Sequence, residues 1–83
     1  MTNIPAWKFD AVRAAILDAV ADGPMLYKDL NAAVEARLDA DTLERLGKLG
    51  WHVVTVKLEM EVRGDIVRTG AKGPQQIARA GQS

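Results

Sequence analysis

Residues 51–64 read WHVVTVKLEMEVRG, and their pattern fits two secondary structures. At period two, Val54, Val56, Leu58, Met60 and Val62 fall on one side and Thr55, Lys57, Glu59, Glu61 and Arg63 on the other, with the Val and Thr content of a strand. At about 100° per residue, Val53, Val56 and Met60 form one apolar stripe and Trp51, Val54, Leu58 and Val62 form an opposite one, with His52, Thr55, Glu59 and Arg63 between them. Local propensity favours the strand. A helix apolar on two sides has to be sandwiched, so the choice also fixes how many surfaces must close on this segment.

The residues that follow break the tie in favour of the helix. Gly64 permits a left-handed helix exit, Ile66 and Val67 open a β-prone segment, Gly70, Lys72, Gly73 and Pro74 make a flexible connection, and Gln75 to Arg79 can return antiparallel. The expectation is a helix over 51–63 feeding a two-stranded hairpin of wing size.

Upstream, Phe9, Val12, Ile16 and Val20 line one side of a first helix. Asn3 and Pro5 suit its start, and Gly23 with Pro24 should end it near Ala21 or Asp22. Leu26, Leu30, Ala33, Val34 and Leu38 share a face, which predicts a second helix over roughly residues 26–38. Asp41 and Glu44 have the spacing of a capping box, so a short helix should begin there, with Leu43, Leu46 and Leu49 as its apolar contacts and Gly47 and Gly50 as its bounds. The sum is an α+β domain of three or four helices and a two-stranded wing, one domain over residues 1–83 with 1–5 and 80–83 as flexible ends.

Met60, Glu61, Gly64, Ile66 and Arg68 reproduce the pattern Leu-Glu-x-x-Gly-x-Ile-x-Arg with Met in the first place. In this the chain resembles the winged helix-turn-helix superfamily, where the pattern closes the recognition helix, and the run Gly23, Pro24, Met25 resembles the approach to the second helix in many such domains. The segment from Gly50 to Arg68 looks like a family of small, functionally uncharacterised bacterial winged-helix proteins. Two features depart from the superfamily: Leu26 stands where a Ser or Thr cap is common, and the stretch from Asp39 to Gly50 is longer than the usual tight turn.

The resemblance implies a non-enzymatic DNA-binding or transcription-regulatory module, with one helix in the major groove of double-stranded DNA and basic wing residues on phosphates. His52 and Thr55 are then the candidates for base edges, Lys48 and Lys57 for phosphates near the helix start, and Arg68, Lys72 and Arg79 for the wing. Glu59 on the same stripe opposes such a contact, because a carboxylate is repelled by the phosphate backbone unless it reads cytosine. The alternative is protein association, as a homodimer or an adaptor, through Trp51, Leu58 and Val62, since this second stripe exceeds what a small three-helix core readily covers. Trp51 has a competing structural role, plugging the gap between the first helix and the Leu43 helix.

Catalysis finds little support. His52 is the only His, Ser83 the only Ser, and there is no Cys, so no nucleophile, base and orienting acid can be assembled from one chain. Asp39, Asp41 and Glu44 lack the ligand density of a calcium loop, and Gly70 to Gly73 lack the spacing and the Ser or Thr of a phosphate loop. Arg63, Gly64 and Asp65 read as a turn. No catalytic residue, metal ligand, cofactor or small-molecule substrate is expected.

Composition agrees with a small binding domain. Eighty-three residues lie near the lower size limit for an unaided core, burying only about 60 to 65% of the unfolded surface, and without Cys the packing must suffice. Eleven basic and eleven acidic residues cancel, which argues against polyanion binding through bulk charge. The distribution is uneven: residues 1–47 hold five basic and eight acidic side chains, net −3, and residues 48–83 hold six and three, net +3. No stretch reads as a secretory signal or membrane span, so a soluble, cytoplasmic protein is expected.

Overall fold

The computed structural model describes residues 4–69 and 73–80. In chain order these form α1 (Ala6–Ala19), β1 (Met25–Leu26), a single 3-10 turn (Tyr27–Asp29), α2 (Leu30–Arg37), α3 (Ala40–Leu46), α4 (Leu49–Arg63), β2 (Ile66–Thr69) and β3 (Gln76–Arg79). The fold is α+β, four helices with a three-stranded antiparallel sheet whose β2 and β3 make the wing hairpin.

Residues 51–63 are helical, as expected. Gly64, at φ 83° and ψ 17°, closes α4 in the left-handed region, its N–H donating to the Glu61 carbonyl at 3.2 Å while the Asp65 N–H donates to that of Met60 at 2.9 Å. These bonds satisfy carbonyls that a helix end otherwise leaves free and turn the chain so that Ile66 drops into the core. The alternation at period two has a simple origin: Val56 and Met60 come from one helical stripe, Leu58 and Val62 from the other.

β2 pairs with β3 in the register Ile66 to Arg79 and Arg68 to Ile77. The hairpin is joined by a strand that was not expected. Met25 and Leu26 pair antiparallel with Ile77 and Gln76, giving the order β1-β3-β2. This corrects the helix expected over 26–38, which begins at Leu30: ladder partners on β3 hold Leu26 extended (φ −65°, ψ 136°), and the Tyr27 N–H donates to the Gln75 carbonyl at 2.9 Å.

Other boundaries also shift. Pro5 precedes α1, its carbonyl accepting from the N–H groups of Lys8 and Phe9, and the helix stops at Ala19, two residues early, where the Gly23 N–H turns back to Val20. The cap of α3 is Asp39 and not Asp41: its Oδ1 accepts from the Thr42 N–H at 2.7 Å, so helix geometry starts two residues before the expected box, and Asp41 pairs with Arg45 at 3.1 Å. Gly47 (φ 84°) ends α3, and Gly50, expected as a bound, lies inside the first turn of α4, as does Leu49. Of the ends expected to be flexible, Ile4 packs on the core and the Ala80 N–H donates to the Asp65 carbonyl at 3.1 Å; Asn3 and residues 81–83 lie outside the described residues.

The core sits where α1, α2, α4 and the sheet meet. Val12 and Ile16 of α1 with Val20 just beyond its end, Leu30 and Val34 of α2, and Val53, Val56 and Met60 of α4 are fully buried, joined by Leu46, Ile66 and Ile77. Only one of the two apolar flanks of α4 is therefore covered within the chain, which corrects the expectation of a sandwiched helix. The other flank faces out.

Candidate association surface on the fourth helix

The uncovered flank is the stripe predicted at helical spacing. Trp51, Val54 and Leu58 are 47, 39 and 49% exposed, and Val62 is 82% exposed. Beside it, where α1 runs next to α4, lies a groove of about 490 Å³ whose apolar lining includes Ile4, Phe9, Leu58 and Val62, with Asp10 and Arg63 at its polar positions. The Arg63 guanidinium lies 4.7 Å from the Phe9 ring centre and donates from Nε to Glu59 Oε1 at 3.3 Å. Such stacking lets a charged side chain cover an aromatic while its head stays wet. Trp51, at the other end of the stripe, does not line the groove; its ring meets that of His52 edge on, centres 4.8 Å apart.

Among the described residues, the side chains proposed for DNA do not form one outward face. Lys48 is exposed at the start of α4. His52 is buried, and its Nδ1 lies 2.7 Å from the Lys48 carbonyl, which can only accept, so Nδ1 carries the proton and the ring serves the first turn of its own helix. The Lys57 side chain is 2% exposed, with Nζ 3.4 Å from Glu61 Oε2 and 4.5 Å from the Tyr27 ring centre; its ammonium is spent inside the molecule. Thr55 is half-buried in the groove. Arg68 and Arg79 are exposed on the wing, on the sheet face that also carries Ile66 and Ile77, and Arg68 Nε leans toward Glu61 Oε1 at 3.8 Å. Lys72 lies outside the described residues.

Trp51, Leu58 and Val62, the three residues proposed for an interface, share the open flank. Two contributors were missed. Val54 belongs to the same stripe and its position signalled as much; the facing wall of the groove, Phe9 of α1 with Ile4 just before that helix, is created by packing and had no sequence signal. The surface is held in place by an ion pair at its far end, where Arg13 of α1 donates to Asp65 at the α4 to β2 turn. That hydrogen bond holds the Asp65 carboxyl below the usual carboxylate range against the opposing effect of burial, and it raises Arg13 further.

Fold and surface together define a small α+β helical domain with a hairpin wing and an apolar outer flank on its longest helix. The chain belongs to DUF6958, a family of unknown function, whose profile matches residues 1–77, from the N-terminus into β3. No curated protein and no solved structure matches the chain significantly. Among the described residues, no helix is long and apolar enough to cross a membrane.

Proposed function

We propose that this chain is a non-enzymatic association module of the winged-helix type, which receives a protein on the outer flank of α4 in place of DNA. The winged-helix reading is supported by the helices that precede the hairpin, by the strand order β1-β3-β2 and by the glycine-capped α4 leading into the wing. The observation that carries the choice of partner is the exposed run Trp51, Val54, Leu58 and Val62. Protein interfaces are built around desolvated aromatic and aliphatic anchors of this kind, whereas a duplex offers a groove lined with hydrogen-bonding edges between rows of phosphates. Of the cations expected on those phosphates, Lys57 is buried and Arg68 leans toward Glu61 at 3.8 Å, which leaves Lys48 at the start of α4 and Arg79 on the wing exposed and well apart in the chain. The zero net charge supplies no long-range attraction to a polyanion.

The test is a titration with nonspecific duplex DNA at low and moderate salt, followed by backbone amide chemical shifts. The proposal expects no perturbation on α4 at either salt concentration. Salt-sensitive binding that maps to the start of α4 and the wing, and that weakens in Arg68→Ala or Lys72→Ala, overturns it in favour of DNA recognition.

A further inference from the structure

We infer that the partner on the outer flank of α4 is a second copy of the same chain, docked antiparallel about a twofold axis near the middle of the helix. The inference rests on the association reading and specifies its occupant. A twofold interface must be complementary to itself, because the same patch is presented by both sides. The α4 flank has this property. At one end the Trp51 ring projects, about half exposed; eleven residues on, about 16 Å along the helix, Val62 and Leu58 open into the groove against Phe9 of α1. Turning one copy end for end places each indole over the groove of the other, so a single rotation fills both hollows and sets Leu58 beside Val54 and Thr55 across the axis.

Charge supports the same orientation. Lys48 lies one turn before Trp51 and Asp10 lines the groove at the opposite end; both are exposed, and neither makes a salt bridge among the described residues. The antiparallel arrangement brings Lys48 of each copy toward Asp10 of the other, while a parallel one sets like charges together. Opposed helix dipoles add to the preference, and a chain of zero net charge carries no overall repulsion against its twin. Size sets the strength of the contact. The 15 residues of α4 span about 22 Å, and with α1 alongside at a helix spacing of about 8 to 10 Å the face measures roughly 400 Å², about half the roughly 800 Å² per partner of a standard interface, so the dimer is expected to be weak.

Sedimentation velocity of the full chain from micromolar to millimolar concentration tests this. The wild type is expected to dimerise with rising concentration. Trp51→Ala should weaken the dimer tenfold or more, as for an aromatic anchor seated in a groove of the partner. Lys48→Asp should weaken it less, and Lys48→Asp combined with Asp10→Lys should restore it. Circular dichroism monitors the fold; should Trp51→Ala disturb it, Val62→Asp, at the most exposed position of the stripe, reads the same surface. A wild type that stays monomeric at millimolar concentration overturns the inference. So does a dimer indifferent to both Trp51→Ala and Val62→Asp, or a double swap that fails to recover what Lys48→Asp lost. A monomer that also ignores DNA removes the second copy and leaves the protein-association reading standing, whereas salt-sensitive DNA binding on α4 removes both.

Discussion

Arg13 grips Asp65 with a two-pronged hydrogen bond, Nε to Oδ2 at 3.0 Å and Nη2 to Oδ1 at 3.2 Å, across a sequence separation of 52. The pair joins α1 to the turn through which α4 passes into the wing. Because the turn also accepts from Ala80 and donates to Met60, the fork fixes where helix, hairpin and α1 meet, and with them the walls of the α1–α4 groove.

A pH dependence follows from that fork. The folded-state pKa of Asp65 is depressed, first by the Arg13 hydrogen bond, so its contribution is fully present above the unfolded carboxyl value of about 3.9 and is lost as pH falls through the lower folded value. Asp39, depressed by its bond to Thr42, acts in the same acidic window. Asp65→Asn isolates one of the two. The variant should melt below the wild type at neutral pH, and the gap in Tm should close in strong acid. A gap that stays constant down to the lowest pH would show that the charge is not what holds the turn.

Lys57 and Glu61 should respond asymmetrically to neutralisation. The Lys57 ammonium is almost fully buried and has one carboxylate and one aromatic face for company, whereas Glu61 is partly exposed and keeps Arg68 nearby if Lys57 is removed. Glu61 Oε1 makes no hydrogen bond of its own. Removing one partner of a buried pair costs about 3 to 5 kcal/mol because the other charge is left uncompensated, and the cost is smaller when the charge left behind reaches solvent or a second partner. Glu61→Gln is therefore expected to lower the unfolding free energy by about 3 kcal/mol, and Lys57→Met by less, since the Glu61 left behind keeps solvent and Arg68. Urea unfolding of the two variants checks the order; equal costs would mean that Lys57 needs its ion pair less than its burial implies.

The same residue shows what a sequence can and cannot disclose. The two stripes of α4, the glycine exit at Gly64 and the hairpin beyond it are local patterns, and each was readable from neighbours in the chain. Nothing local says which stripe is covered: Val53, Val56 and Met60 go inside because α1, α2 and the sheet close on them, leaving Trp51, Val54, Leu58 and Val62 outside. Lys57 lies among polar neighbours at period two and reads as a surface cation, but Tyr27 and Glu61 enclose its ammonium. Leu26 keeps helical spacing with Leu30, yet β3, some fifty residues away, makes it a strand. Asp39, by contrast, was a matter of choosing between two nearby aspartates, and the extended backbone at Leu38 and Asp39 decides it.

Gly64→Ala measures the backbone requirement at the end of α4. The glycine sits at φ 83°, and a Cβ there meets nothing within 4 Å, so the cost is conformational and not steric crowding. An L-residue in the left-handed region loses about 1 kcal/mol relative to glycine. The expected outcome is a Tm a few degrees lower with the circular dichroism spectrum retained; an unchanged Tm would mean that the turn relaxes out of the left-handed conformation.

The two flanks of α4 should separate stability from association. Met60 is fully buried in the core, so Met60→Ala removes packing that its surroundings cannot refill and should cost about 2 to 5 kcal/mol. Val62, two residues on, is 82% exposed, and Val62→Asp should change monomer stability by no more than about 0.5 kcal/mol. Their effects on concentration dependence run the other way. Folding coupled to dimerisation makes the denaturation midpoint rise with protein concentration; Met60→Ala should keep that rise from a lower starting point, and Val62→Asp should flatten it. Urea titrations of wild type and both variants at several protein concentrations read the two quantities together, and a rise that survives Val62→Asp would place the contact between copies somewhere other than this flank.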